Sequence, residues 1–143
     1  MFKDIWKSLQ NVERSRLLIY IVVYFSWGLL MNWIGQQLEI AKFTYWWQVI
    51  TTYLVYMVPI SIMLRPYSIF NQYAYGLIAM ALLEFGGYAM GTSYIYPDNL
   101  LENFFGPHVF ALAMALFFAW YFPIGNWVVN RLYLLLIDNN SRK

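Results

Sequence analysis

Residues 17–35 read LLIYIVVYFSWGLLMNWIG, 19 positions without a charged side chain. As a helix rising 1.5 Å per residue, this run covers about 28 Å, close to the hydrocarbon thickness of a bilayer. Three further apolar runs follow, at residues 45–64, 72–91 and 107–130. Arg65-Pro66 closes the second run, because Pro restricts the residue before it and cannot continue a helix. Pro59 is expected to kink that run. Pro107 suits the first position of the fourth helix, which Pro123 and Gly125 bend further along. The sequence therefore predicts an all-α integral membrane bundle of four transmembrane helices in one domain, residues 1–143. No internal repeat is evident.

Composition excludes the soluble alternative. Charged residues make up 11% of the chain and apolar residues 62%, against about 25% and 45–50% in an ordinary soluble domain. A chain this short cannot hide so much apolar surface within itself, whereas lipid can cover it. Cysteine is absent, which removes disulfides, thiolate nucleophiles and any cysteine-ligated cofactor. No stretch carries the basic pattern of a nucleic-acid-binding surface.

Charge sets the expected orientation. Eight of the nine Lys and Arg residues, Lys3, Lys7, Arg14, Arg16, Arg65, Arg131, Arg142 and Lys143, fall in segments on one side once the runs are drawn as spans. Only Lys42 falls on the other. Basic residues are retained on the cytoplasmic side, so both termini are expected there, in a bacterial inner membrane. Phe2, Ile5, Trp6 and Leu9 recur at helical spacing among charged residues, which makes residues 1–16 an amphipathic interfacial helix. Leu132 to Ile137 is expected to run along the same interface, and residues 138–143 form a polar tail. On the opposite side, residues 36–43 read as a short polar link. Asp98 or Asn99 is expected to start a short helix through Phe105.

Glu84 is the strongest functional candidate, because an ionisable residue inside a span is costly and marks function by default. Ala81, Gly87, Tyr88 and Gly91 share its helical face. The spacing of Gly87 and Gly91 matches Ala111, Ala115 and Ala119 on the fourth span, and such small residues allow close helix packing in lipid. A neutral Glu84 holding one buried hydrogen bond is the plain structural alternative. Tyr88, Tyr94, Trp27 and Trp120 are candidate ligand-binding aromatics for a lipid, quinone or carotenoid. Trp27 and Trp120 are equally readable as packing residues. His108 with Asp98 and Glu102 could hold a metal, but their spacing matches no metal motif and none is expected. Asn32, Thr51, Thr52 and Asn126 are candidate interhelical polar contacts.

Three functions fit. The first is a non-catalytic subunit or a lipid-, pigment- or quinone-binding module, packed in a homo-oligomer or a larger membrane complex. The second is a proton-coupled transporter working as an oligomer around Glu84. The third is a membrane enzyme on an isoprenoid or lipid, with Glu84 as general acid assisted by Tyr94 and His108. The first is preferred, because no hydrolase, phosphate-loop or metal motif is present.

Overall fold

A computed structural model describes residues 6–7, 9–106 and 109–138. Residues 1–5 of the expected interfacial helix, Pro107, His108 and residues 139–143 of the tail lie outside the described residues. The chain is mostly helical. Helix α1 spans Arg14–Gln37, α2 Trp47–Leu64, α3 Ile69–Met90, α4 Leu100–Phe105, α5 Phe110–Phe118 and α6 Tyr121–Tyr133. Strands β1 (Ala41–Phe43) and β2 (Ser93–Ile95) pair antiparallel, with Lys42 opposite Tyr94. The polar link thus becomes half of a ribbon that ties the α1–α2 connection to the α3–α4 connection.

Three helical stretches are long and apolar enough to cross a membrane: Arg14–Gln37, Trp47–Leu64 and Phe110–Ile137. Helix α3 has 22 residues, a length of about 33 Å. Asn71, Gln72, Glu84 and three tyrosines make it less apolar than the others. The last stretch is not one straight helix. It breaks at Ala119–Trp120, just ahead of Pro123, and the residues after Asn130 continue the helix in a wide π-turn over Leu134–Asp138. Pro123 lacks the N–H that would bond across that break. Helix α2 opens with one short α segment, Trp47–Val49, widens into a π-helical stretch, Ile50–Met57, and returns to α geometry at Val58, one residue before Pro59.

The core is aromatic and close-packed. Tyr20, Tyr24, Tyr53, Met57, Met80, Phe122 and Val129 are fully buried. Four glycines make close approaches, one of them Gly35 against the Ala41 carbonyl and three against side chains of the core. Gly28 lies under the Tyr53 ring and Val49, Gly76 under the Phe122 ring, and Gly125 under the Tyr24 phenol. Gly87 and Gly91 do not. A Cβ at Gly87 would meet only the Thr92 hydroxyl, and one at Gly91 would meet nothing within 4 Å. Their spacing comes from the end of α3, where Gly91 is left-handed (φ 61°). There Thr92 N–H donates to Gly87 O and Gly91 N–H to Tyr88 O, the Schellman arrangement that satisfies the last carbonyls. Ala111, Ala115 and Ala119 are buried.

Outside this core the molecule is covered by large apolar side chains, among them Leu18, Val22, Val55, Ile78, Leu82 and Leu135. Large contiguous apolar patches are rare on soluble proteins.

Candidate functional site

The ribbon and α2 build one end of the molecule around polar backbone contacts. Phe43 N–H donates to Asn32 Oδ1 at 3.1 Å, which holds β1 against α1. Gln48 accepts from Tyr45 N–H at 2.8 Å and donates to the Thr92 carbonyl. Lys42 lies 5.0 Å from the Tyr94 ring and 5.6 Å from the Tyr96 ring, a placement that attracts a cation to aromatic faces. Asn99 caps α4, accepting from Leu101 and Glu102 N–H at 3.1 Å each.

Two cavities open beneath this roof. The larger, about 580 Å³, runs between α2 and α3 past Trp47, Thr52, Tyr56, Gly87 and Tyr88. The smaller, about 310 Å³, runs between α1 and α5 past Met31, Asn32, Lys42, Ala113 and Met114. They share a common border of Phe43, Tyr53, Glu84, Ser93, Phe110 and Phe118. Glu84 is the one acid among these shared residues. Its side chain is half-buried, and among the described residues nothing hydrogen-bonds or ion-pairs with its carboxyl.

A row of polar aromatics leads away from Glu84 into the core. Tyr53 borders both cavities with Glu84, and Tyr121 lies behind it. Tyr53 and Tyr121 have ring centroids 6.2 Å apart, and Trp27 meets Tyr121 edge-on at 5.3 Å. Trp27 and Tyr53 are the polar neighbours of the buried Tyr121 hydroxyl. Tyr53 sits in the π-helical stretch, where Val58 N–H reaches back five residues to Tyr53 O. Such wide turns recur at functional sites.

The candidates named from sequence are therefore scattered. Glu84 and Tyr88 border the larger cavity, and Trp27 lies in the row behind it. Tyr94 stands on the ribbon beside Tyr96 and borders neither cavity. Trp120 is 48% exposed and packs at a tilt against Tyr73 with centroids 4.6 Å apart, away from both. Among the described residues no three His, Asp or Glu side chains converge on a metal position. Tyr53, Phe110, Phe118 and Tyr121 went unnoticed in sequence, where nothing separates them from other aromatics in apolar runs.

On the far side of the core lies a second polar cluster that is fully paired. Asn126 Oδ1 accepts from Tyr20 and from Ser61 Oγ, and Asn126 Nδ2 donates to Ser61 O and Gln72 Oε1. Tyr24 shares its hydroxyl between Ser61 Oγ and Tyr121 O. Such a satisfied network holds helices together. Of the other polar candidates, Thr51 bonds only within its own helix, to Trp47 O and Gln48 O. No family model, curated protein or solved structure matches this chain.

Proposed function

We propose that the chain is a four-helix integral membrane protein, both termini cytoplasmic, that binds an elongated apolar molecule against Glu84. The observation that carries this reading is the meeting of two apolar cavities at a carboxyl that has no partner among the described residues. A polar group left unpaired in such surroundings is costly, and a bound molecule would supply the missing contact. Shape supports an elongated occupant, because the two cavities leave Glu84 in different directions. Orientation rests on the eight-to-one distribution of basic residues. A pair of apolar cavities meeting at a single carboxyl suits a binding or accessory role within an oligomer or a larger membrane complex.

The transport reading draws on Glu84 being reachable from two sides of the bundle. Below Glu84, however, Met57, Met80 and Phe122 are fully buried, so a path to the other end would have to break the core. The enzyme reading loses Tyr94 as an assistant, since it borders neither cavity with Glu84, and His108 lies outside the described residues.

The test is extraction of the protein in native lipid discs, followed by mass spectrometry of the small molecules retained. The proposal expects one apolar compound in near-stoichiometric amount, depleted in Glu84→Gln. Bulk lipid alone, unchanged between the wild type and the variant, would sink it.

A further inference from the structure

We infer that the molecule held at Glu84 is an amphiphilic cation: one protonated or quaternary nitrogen carried on an apolar body. This rests on the binding reading above and narrows it to a chemical class.

Charge complementarity argues for a cation. The described basic residues near either end have other surroundings. Arg16 donates to Asn130 at 2.8 Å and lies 4.0 Å from the Tyr133 ring, and Arg131 faces Trp127. Lys42 borders the smaller cavity but sits over Tyr94 and Tyr96. No Lys, Arg or His among the described residues forms an ion pair with Glu84, so a carboxylate there lacks a counter-ion among them.

The walls point the same way. Phe43, Tyr53, Phe110 and Phe118 surround the junction of the cavities where Glu84 stands. Aromatic faces attract cations, most strongly when water is excluded. Rings around a lone carboxylate therefore favour a desolvated nitrogen over a neutral oxygen. The apolar body would occupy the cavities on either side.

The probes are decyltrimethylammonium and decanol, which share a chain and differ in head group. Binding is measured calorimetrically, and by the thermal midpoint, with the protein in lipid discs and empty discs as control. The wild type is expected to bind the ammonium at least about tenfold more tightly than the alcohol. Glu84→Gln is expected to erase that preference. If the Gln variant does not fold, Phe118→Leu gives a second reading. Loss of one ring face should weaken the ammonium about threefold while leaving the alcohol nearly unchanged.

Equal or tighter binding of decanol by the wild type overturns the cationic class and leaves the cavity reading standing. Ammonium preference that survives both substitutions overturns it as well. If neither probe binds and native extraction yields no retained compound, the binding reading falls along with this one.

Discussion

Ser61 and Asn126 exchange hydrogen bonds across the core: Ser61 Oγ donates to Asn126 Oδ1 at 3.2 Å, and Asn126 Nδ2 donates back to Ser61 O at 3.1 Å. Ser61 lies on α2 and Asn126 on α6. Through Tyr20 and Gln72 the same amide also reaches α1 and α3. One side chain thus joins four helices, with donors and acceptors matched. Interhelical hydrogen bonds in lipid average only about 0.6 kcal/mol each. The cost of leaving several partners unpaired at once is larger. Asn126→Ala is expected to destabilise the protein by about 2 kcal/mol, and Thr51→Ala by less than about 0.5 kcal/mol. Unfolding in mixed micelles checks both, and equal effects would contradict the network's role.

Two glycines on α3 separate packing from propensity. Gly76 lies directly under the Phe122 ring, and Gly86 has open space where a Cβ would go. Phe122 is fully buried, so it has little freedom to withdraw. Gly76→Ala is expected to cost about 1–3 kcal/mol through overpacking. Gly86→Ala is expected to be neutral or to stabilise by up to about 1 kcal/mol, since Ala is the better helix former. Because Gly86 borders the larger cavity, its variant should also bind the occupant less well. Thermal melts and binding measured on the same two variants distinguish these outcomes.

Near the start of α1, the Tyr133 hydroxyl donates to the Glu13 carboxylate, and Arg16 lies beside both. The hydrogen bond from Tyr133, with the charge of Arg16 beside it, holds the Glu13 carboxyl below its ordinary range. A carboxyl with a depressed folded value stabilises above its unfolded value and loses that contribution as pH falls through the folded one. Any pH dependence of the α1–α6 contact from this group therefore lies at or below the ordinary carboxylate range. The group is exposed, so screening keeps the effect small. Tyr133→Phe should move the Glu13 titration upward, as read by carbon NMR of a labelled carboxyl. A titration unmoved by that substitution would show that the contact is not formed in solution.

Patterns that depend on neighbours in the chain were legible in the sequence. The run at residues 17–35, the stop at Arg65-Pro66 and the Asn99 cap follow from hydropathy, Pro geometry and side-chain capping, all of them local. Glu84 was legible because a carboxyl in an apolar run is anomalous by itself. The aromatic surroundings of Glu84 were not, since Tyr53, Phe110, Phe118 and Tyr121 come from three separate helices and share only aromaticity. The ribbon was missed because three residues per strand leave no alternation to read. The Gly87/Gly91 spacing misled for a physical reason: a glycine four residues after another suits a helix contact, and a glycine at a helix end suits a left-handed stop. Only the end of α3 decides between them.

That same stop occurs twice, once with the wrong residue for it. At the end of α1, Ile40 N–H donates to Gly35 O and Glu39 N–H to Gln36 O, repeating the pattern that closes α3. The left-handed position is held by Glu39 (φ 51°), where α3 has Gly91 (φ 61°). A side chain with a Cβ costs about 1–2 kcal/mol in that conformation. Glycine avoids the cost but loses about 0.5–1 kcal/mol through its freer unfolded state. Glu39→Gly is therefore expected to gain about 0.5 kcal/mol. Gly91→Ala is expected to lose about 1 kcal/mol, a purely conformational cost, because nothing lies within 4 Å of the added Cβ. Opposite signs in thermal unfolding would confirm that both helices end by the same device. A destabilising Glu39→Gly would instead mean that the Glu39 side chain makes a stabilising contact of its own.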